Sequence, residues 1–471
     1  MVNSNATDRV VQELRALAAA APPGTQLPSV RELTGRHQAS PVTVAAAIRE
    51  LVANGLVETR SGRGTFVAAR PAAATAPPAD LSWQTVALGP RRFGEEEMQA
   101  LLALPPSGAI PLSGGYLDPD LQPVDALGTA LARAARQPAS WQRGPVEGRE
   151  DLRAWFARET RSGLAATAGG LRPEDMVICP GGQAALSSAL RALTEPGDTL
   201  LVESPTYLGA LAAAHAAGLR VVPVPADRDG VLPGQLAAAF ARTGARLFYC
   251  QPLHANPTGA TLAPARRPAV TAAVREAGAF LIEDDYARDL TIDGEPPRPL
   301  AADDPDGHVI HLRSLTKSAA PGLRVAALGA RGPAGARLRA ARLLDDFFVA
   351  GPLQQATVEF VTSPAWPRHR RRLATELRAR RDALLAALHR HLPALVPPTP
   401  PSGGLHLWAP LPEGADDVAV ATAAAAAGVV VFPGRPWHAA EPPRPYLRLT
   451  YAAAPPAAMD EAVRRLSTVL T

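Results

Sequence analysis

From Ile110 onward, short apolar runs alternate with alanine-rich segments of helical character. This alternation is typical of an α/β protein, and it predicts a mainly parallel sheet with helices on both faces. The candidate strands are residues 177–178, 199–202, 221–224, 247–249, 280–282 and 309–312. Because a chain of 471 residues exceeds what one core usually supports, we expect two or three domains.

The composition is that of a soluble globular protein, since 47% of the residues are hydrophobic and 20% are charged. A net charge of +4 neither requires nor excludes nucleic acid as a partner. No uncharged apolar run reaches about 18 residues, the length that indicates a membrane span, and no Cys/His cluster has zinc spacing. Cys179 and Cys250 each end an apolar run, so we interpret them as buried thiols of a cytoplasmic protein.

One lysine, Lys317, is present among the 48 lysine and arginine residues. Arginine can replace lysine as a surface charge, but its guanidinium stays protonated and cannot condense with an aldehyde as a desolvated lysine amine can. Lys317 lies in residues 314–324, Ser-Leu-Thr-Lys-Ser-Ala-Ala-Pro-Gly-Leu-Arg, directly after a predicted strand. We interpret it as a reactive amine, and the alternative is a surface lysine in a loop.

Other polar segments also follow predicted strands, at the edge where open α/β sheets bind ligands. Residues 180–186 join a strand to a helix, so the backbone amides around Gly182 and Gln183 are suited to phosphate. Asp284 and Asp285 follow another strand. Because adjacent residues at a strand end point in opposite directions, only one of these aspartates can face a ligand.

These segments together resemble fold type I pyridoxal-phosphate enzymes, whose cofactor segment reads Ser-x-Ser/Thr-Lys-x-x-x-Pro-Gly-Leu-Arg. The resemblance implies pyridoxal 5′-phosphate (PLP) as cofactor and a smaller α/β domain after the large one. The cofactor-binding residues that it implies are Lys317, Gly182, Gln183, Tyr207, Asn256, Asp284, Tyr286, Ser314 and Arg324. Tyr207 is implied to stack on the pyridine ring, while Asn256 and Tyr286 bond the ring oxygen.

Lys317, Asp284 and Tyr286 form the catalytic set that the resemblance implies. A carboxylate at Asp284 keeps the pyridine nitrogen protonated, which makes the ring an electron sink. Asp285 is then interpreted as a helix-capping or solvent-exposed carboxylate.

Arg448 stands among apolar residues of a predicted strand, where a buried guanidinium needs a partner. Aminotransferases place an arginine here to bind the substrate carboxylate, so the resemblance assigns Arg448 to a substrate or effector carboxylate. An internal salt bridge is the alternative.

We interpret His406 as a structural histidine. Arg143 departs from the family, because it stands where a tyrosine usually reaches the cofactor phosphate of the partner subunit, and a guanidinium also binds phosphate.

The first 70 residues have the pattern of three helices and a hairpin. A helical apolar period runs over residues 7–17, and N-cap patterns at Ser29 and Ser40 start two further helices. Residues 61–64, Ser-Gly-Arg-Gly, separate two short apolar runs, which predicts a hairpin with a basic tip. The sequence therefore predicts a winged helix-turn-helix.

This segment resembles the DNA-binding domain of the GntR family, in which the second helix of the turn enters the major groove and the wing reaches the minor groove. The residues that the resemblance places near DNA are Arg31, Ser40, Thr43, Gly62 and Arg63. Pro41 and Ala45 replace arginines that are frequent in the family, so phosphate contacts carry more of the expected affinity. A small protein-interaction module is the alternative.

The domains we predict are residues 1–70, a proline-containing linker over 71–106, and residues 107–471. Together the halves resemble MocR-type regulators, a GntR subfamily with an aminotransferase-like domain. The resemblance implies a head-to-tail homodimer that binds double-stranded DNA, and an amine or amino-acid effector that exchanges with Lys317 to form an aldimine. Two alternatives stay open: an authentic class I/II aminotransferase with a DNA-binding appendage, and a DNA-binding protein whose large domain only dimerises.

Overall fold

The computed structural model describes residues 6–69, 80–88, 95–161 and 170–470. The chain divides into two compact units, which meet in sequence between Pro90 and Arg91. Within the described ranges, every helix is too short or too polar to cross a membrane.

The N-terminal unit is a winged helix-turn-helix. Its elements are α1 (Ala6–Ala20), α2 (Val30–His37), α3 (Pro41–Ala53), β1 (Val57–Arg60), β2 (Gly64–Val67) and α4 (Ser82–Leu88). The strands β1 and β2 pair antiparallel, with Arg60 opposite Gly64 at the tip of the hairpin. Leu14, Leu33 and Leu51 from the first three helices are fully buried in one core. The predicted helices and hairpin are confirmed.

The predicted caps fix the turn between α2 and α3. The Ser29 hydroxyl accepts a hydrogen bond from the Glu32 amide, and the Glu32 carboxylate accepts one from the Ser29 amide, which completes a capping box. The Ser40 hydroxyl accepts from the Thr43 amide at 3.1 Å, and Pro41 follows it as the first helical residue. Each such cap stabilises a helix by about 1 kcal/mol, so these residues set where both helices begin.

The larger unit alternates strands and helices along most of its length. Its elements are α5 (Glu95–Leu102), β3 (Ile110–Pro111), α6 (Val124–Ala135), α7 (Glu150–Arg161), β4 (Met176–Cys179), α8 (Gly182–Leu193), β5 (Thr199–Ser204), α9 (Leu208–Ala216), β6 (Arg220–Asp227), β7 (Gly230–Val231), α10 (Pro233–Thr243), β8 (Leu247–Cys250), α11 (Arg267–Glu276), β9 (Phe280–Asp284), β10 (Val309–Ser314), β11 (Ala326–Gly329), α12 (Gly332–Asp346), α13 (Gly351–Val361), α14 (Ala365–His391), β12 (His406–Pro410), α15 (Asp417–Ala426), β13 (Val429–Val430), β14 (Phe432–Pro433), β15 (Tyr446–Thr450) and α16 (Pro456–Leu470).

Eight strands form the main sheet, in the order β4-β11-β10-β9-β8-β5-β6-β7. Strands β10, β9, β8, β5 and β6 are mutually parallel, and β11 runs antiparallel between β4 and β10. Helices α7, α11 and α13 pack on one face of this sheet, and α8, α9 and α12 pack on the other. All six predicted strands belong to this sheet, so the predicted α/β class is confirmed.

A smaller α/β domain follows the main sheet in sequence. Its strands β12, β15 and β14 form an antiparallel sheet, and β13 pairs with β3 from the start of the unit. Helices α14 and α16 pack against it through Leu384, Leu388 and Leu466. The predicted second domain is therefore confirmed.

Two helices, α4 and α5, lie within the segment that the sequence predicts as a linker. Met98 and Leu101 of α5 pack against a cluster formed by Leu208, Phe432 and Trp437. Part of the predicted linker is thus held on the larger unit by apolar contacts. The interpretation of the two cysteines as buried thiols is confirmed, since both are buried and unpaired.

Candidate functional site

A cavity of about 70 Å³ opens at the carboxyl ends of the parallel strands. All the residues that the sequence assigned to cofactor binding line it, namely Gly182, Gln183, Tyr207, Asn256, Asp284, Tyr286, Ser314, Lys317 and Arg324. These residues come from five separate segments of the chain, and the sheet brings them together because its strands end at one edge.

Lys317 follows β10 and directs its amine into the cavity. The Nζ atom lies 3.6 Å from the centre of the Tyr116 ring. Burial lowers the pKa of Lys317 to about 7, and the positive charges of Arg448 and Arg324 act in the same direction, while Asp284 partly opposes them. About half of such amines are neutral at pH 7, and a neutral amine is the form that attacks an aldehyde.

The end of the cavity near Gly182 is suited to a phosphate. Gly182 begins α8, and Gly181 before it has a φ of +99°. A Cβ atom at Gly181 would lie 2.5 Å from Nη2 of Arg324, so only glycine lets the guanidinium approach this turn. Ser314 lies opposite, since a Cβ atom at Gly182 would be 3.4 Å from its Cβ. A helix N-terminus, a guanidinium and a hydroxyl therefore converge here.

Asp284 ends β9 at the floor of the cavity. Its Oδ2 atom accepts hydrogen bonds from the Tyr249 hydroxyl at 2.6 Å and from Nε2 of Gln251 at 2.9 Å. Burial raises the pKa of Asp284 to about 6, although both hydrogen bonds favour the charged form. At neutral pH the carboxylate is thus mostly ionised and placed to hold a proton on a basic ring nitrogen.

Asp285 points away from the cavity, and its interpretation as a capping or solvent-exposed carboxylate is wrong. It is buried and accepts a hydrogen bond from Nε of Arg288 at 2.5 Å. Burial opposes its ionisation, but the charges of Arg288 and Arg313 and a hydrogen bond with His311 outweigh this and lower the pKa of Asp285. The physical reason is that β9 is covered on both faces, so a carboxylate opposite Asp284 enters the core and needs a cation there.

Three polar side chains border the middle of the cavity. The Tyr207 hydroxyl donates to Oε1 of Gln183 at 3.0 Å, and the Tyr286 hydroxyl donates to the backbone oxygen of His254 at 2.7 Å. Asn256 lies beside them, with its Oδ1 atom 3.3 Å from Nη1 of Arg448. The arrangement offers an aromatic ring and two polar groups to a planar ligand.

Arg448 is fully buried without a carboxylate partner among the described residues. Its guanidinium donates to the oxygen atoms of Asn256 and Ser113 and lies 4.3 Å from the centre of the Trp437 ring. Burial lowers the pKa of Arg448 to about 9. The alternative of an internal salt bridge is therefore wrong, and a cation without an anion is left beside the cavity.

His406 lines the same cavity, and its interpretation as a satisfied structural histidine is wrong. It is 3% exposed, yet its Nδ1 atom has no hydrogen-bond partner within the described part of the chain. Burial lowers the pKa of His406 well below its usual value, and Arg448 and Lys317 add to this. The imidazole is neutral, and one of its nitrogens is unpaired.

Sequence reasoning also missed Tyr249 and Gln251 as parts of the site. It related residues 112–116 to a substrate-side loop of the family but gave Tyr116 no role. Tyr249 and Gln251 hold Asp284, and the Tyr116 ring faces Lys317. Tyr249 lies in the predicted strand β8, and Gln251 follows it. Because β8 is the parallel neighbour of β9, which ends at Asp284, the sequence could have placed both residues beside Asp284. Arg143 lies in an exposed loop and does not line the cavity, so its contact with a partner's cofactor stays a prediction.

The residues predicted to approach DNA lie on exposed parts of the N-terminal unit. Arg31 is exposed on α2, Ser40 and Thr43 are at the start of α3, and Gly62 and Arg63 form the tip of the hairpin. Neither Arg31 nor Arg63 has an ion-pair partner within residues 6–69. Val42, which the sequence analysis did not single out, is 73% exposed in the first turn of α3.

Residues 6–67 match the family model of the bacterial regulatory proteins, gntR family, and residues 113–466 match that of aminotransferase class I and II. The chain is 28% identical over 437 residues to the HTH-type transcriptional regulator YdfD of Bacillus subtilis, covering 92% of this chain and 89% of that protein. It is 30% identical over 461 residues to the HTH-type transcriptional regulator TauR of Rhodobacter capsulatus, covering 95% and 92%.

A solved structure shares the fold of the larger unit. The α-aminoadipate aminotransferase LysN of Thermus thermophilus, complexed with N-(5′-phosphopyridoxyl)-L-leucine, has a TM-score of 0.73 and 30% identity, covering 80% of this chain and 95% of that chain. The fold and the two family models together define a GntR-type helix-turn-helix domain that is joined to an aminotransferase class I and II domain of fold type I. The chain belongs to the MocR-type regulators of the GntR family.

Proposed function

We propose that this protein is a PLP-dependent transcription regulator, and that an amine or amino-acid effector bound at Lys317 changes its affinity for double-stranded DNA. One observation carries the proposal. The single lysine of the chain lies in the cavity at the strand ends, with its pKa lowered to about 7. Of the basic side chains, only that of lysine condenses with an aldehyde. The single lysine of this chain lies in the cavity that is suited to a phosphate and a planar ring.

The lining of the cavity fits PLP by its chemistry. The α8 N-terminus, Ser314 and Arg324 offer donors to a phosphate at one end, and Asp284 offers a carboxylate to a ring nitrogen. When bound, the cofactor supplies an aldehyde that condenses with amines. Lys317 supplies the neutral amine of the protein, Tyr207 offers its ring for stacking on the pyridine, and Tyr286 offers its hydroxyl to the ring oxygen.

Arg448 gives the proposed effector its chemical class. The guanidinium is buried and lacks an anion, and a ligand carboxylate satisfies it with two parallel hydrogen bonds. An amino acid carries both the amine that reacts at the cofactor and the carboxylate that Arg448 requires. We therefore infer that amino acids bind more tightly than simple amines.

The N-terminal unit is proposed to read duplex DNA as a dimer. Exposed Arg31 and Arg63 are free to bind phosphates or a narrow minor groove, and α3 presents Thr43 and Val42 to a major groove.

The domains that we propose are residues 1–70 for DNA binding, residues 71–106 as the linker, and residues 107–471 for effector binding and dimerisation. The proposed dimer is a head-to-tail homodimer, in which Arg143 contributes to the partner's phosphate site.

An authentic aminotransferase with a DNA-binding appendage is the second candidate. It is favoured by the complete set of Lys317, Asp284 and Tyr286 around one cavity and by the likeness to LysN. The two candidates differ in turnover. A regulator binds its effector and holds it, whereas an aminotransferase converts many equivalents of amino acid at about 1 s⁻¹ or faster.

The test compares wild type with Lys317→Ala and Lys317→Arg, since arginine keeps the positive charge but cannot condense with an aldehyde. Absorption spectra record cofactor and effector binding, and fluorescence anisotropy of labelled promoter DNA records DNA affinity. We expect wild type to change its DNA affinity about 5- to 150-fold with effector, the range of a 1–3 kcal/mol coupling. Both variants should bind DNA but ignore the effector. A response of Lys317→Arg equal to wild type would contradict the proposal.

A further inference from the structure

A second cavity, of about 480 Å³, lies in the larger unit. Residues 258–262, which follow β8, and residues 397–402, which lead into β12, contribute to its lining. Its volume is within the range of small-molecule sites in proteins. Gln251 lines both this cavity and the cavity around Lys317, whereas Lys317 itself lines only the latter. The second cavity is therefore a separate candidate binding site.

Flat, apolar rings form much of the lining of the second cavity. The rings of Trp408 in β12 and Tyr446 in β15 stack on each other, with centres 4.8 Å apart and an angle of 15° between their planes. Both side chains are partly exposed, and prolines 397, 398, 400 and 401 add further rings. Such a lining favours a ligand that is itself flat and apolar over most of its surface.

Three charged side chains at the second cavity are already paired or hydrated. Asp227 accepts hydrogen bonds from Arg266 at both carboxylate oxygens, at 2.6 and 2.8 Å. Arg444 donates to the backbone oxygen of Leu411 at 2.9 Å, and the side chain of Arg228 is 80% exposed to water. None of these three side chains requires a ligand for a partner.

Glu203, the fourth charged side chain, differs from these three. It is only 5% exposed, and its Oε2 atom accepts a hydrogen bond from the Gln251 amide at 2.9 Å. Its Oε1 atom has no hydrogen-bond partner within the described residues, yet it is not closed off from the cavity that Glu203 lines. Burial raises the pKa of Glu203 to about 7, and the bond from Gln251 opposes this only in part. A bound cation would complete Oε1 and favour the ionised carboxylate.

We propose that the second cavity binds a planar aromatic cation, whose N–H groups donate to Glu203 while its ring packs against Trp408, Tyr446 and the prolines. The site selects for charge and for flatness together. An anion is repelled by Glu203, and an aliphatic cation lacks the ring contacts. This inference goes beyond the proposed function, because binding here requires neither Lys317 nor Arg448.

The test uses benzamidine, a planar aromatic cation whose amidinium group presents two parallel N–H donors to a carboxylate. Isothermal titration calorimetry of the full-length, cofactor-loaded protein gives its Kd and stoichiometry, and we expect one benzamidine per chain. Glu203→Gln keeps an acceptor for the Gln251 amide but removes the charge, so it should raise the Kd by about 10-fold or more. Trp408→Leu should raise the Kd by about 5-fold.

Asp227→Asn is the matched control, because it removes a carboxylate of the same cavity that is already paired with Arg266. It should change the Kd by less than about 3-fold. Equal losses in Glu203→Gln and Asp227→Asn would show unspecific attraction of a cation and overturn the inference. Lys317→Ala should bind benzamidine like wild type, and a loss in this variant would place benzamidine in the other cavity instead.

Two fragments of benzamidine test the inference in the wild-type protein, without any substitution. Acetamidine keeps the cation but has no aromatic ring, and benzamide keeps the ring but is neutral. Each should bind at least about 10-fold more weakly than benzamidine, since each lacks one of the two features that the cavity pairs. Benzamidine that does not saturate the protein at about 5 mM, or either fragment binding as tightly as benzamidine, would refute the proposed site.

Discussion

The lowered pKa of Lys317 predicts how the protein captures PLP as the pH changes. An ordinary lysine has a pKa of 10.5, whereas burial and the charges of Arg448 and Arg324 lower the pKa of Lys317 to about 7. At pH 7 the neutral fraction is then about one half, compared with about 0.03% for an ordinary lysine, an advantage of roughly 1,600-fold. Since only the neutral amine attacks an aldehyde, the rate of capture should rise with pH and reach half its maximum near pH 7.

Stopped-flow absorption measures this rate after cofactor-free protein is mixed with PLP between about pH 5.5 and about pH 11.5, a range that brackets both the lowered and the ordinary pKa. Free PLP titrates in the same range, so Nα-acetyl-lysine serves as a reference amine. Its rate, first corrected for its own neutral fraction, is divided out at each pH. Because the chain has one lysine, the variant Lys317→Arg gives the background from the N-terminus. A midpoint near pH 10 in wild type would refute the reasoning.

Two neighbours of Lys317 provide a check on the cause. Arg448 repels the protonated amine and Asp284 attracts it. Arg448→Met should therefore raise the pKa of Lys317 and move the midpoint to higher pH, whereas Asp284→Asn should lower the pKa and move the midpoint to lower pH. Shifts in the same direction for both variants would show that something other than these charges sets the pKa.

Further predictions concern stability, DNA binding, assembly and coupling. Because the folded pKa of Lys317 is below 10.5, the unfolded chain holds one more proton between pH 7 and pH 10.5. The stability of the cofactor-free protein should thus rise by up to about 1.4 kcal/mol per pH unit there, relative to Lys317→Met in denaturant titrations. Arg63→Ala should weaken DNA binding and reduce the slope of log affinity against log salt by about 0.9 per protomer; an unchanged slope would remove Arg63 from the phosphate contacts. A protein lacking residues 1–80 should stay dimeric by sedimentation, and a monomer would place the interface in the N-terminal unit. Met98→Ala with Leu101→Ala should reduce the effect of an effector on DNA affinity; an undiminished effect would exclude this contact from the coupling.

Much of the fold followed from local patterns in the sequence. The six predicted strands are runs of apolar residues that are mostly buried on both faces, although residues 221–223 are only partly buried. Their length and spacing identify them without tertiary information. The caps at Ser29 and Ser40 depend on a few adjacent residues, so they too were predictable. Strand β11 was missed, because Ala326–Gly329 is made of residues with weak strand preference. Its place between β4 and β10 depends on pairing across a long stretch of chain.

The candidate site was predictable where a motif fixes both residue and neighbour. Lys317, Ser314 and Arg324 stand in one such motif and line the cavity together. Asp285 and His406 were misjudged for a common reason. Whether a buried polar atom is paired depends on side chains that are distant in sequence, such as Arg288 for Asp285 and Arg448 near His406.

The contacts of Trp437 relate the proposed effector site to the segment that leads towards the N-terminal unit. Its ring lies 4.3 Å from the Arg448 guanidinium on one side, and it shares an apolar cluster with Met98 and Leu101 of α5. A ligand changes a conformational equilibrium only through a difference in its affinity for the two states. If the proposed effector moves Arg448, the Trp437 contact changes, and with it the packing that holds α5. A difference in the packing of α5 between the two states would couple the two sites. Such a coupling is reciprocal, so DNA must change the affinity for the effector by the same factor by which the effector changes the affinity for DNA, and either titration measures it.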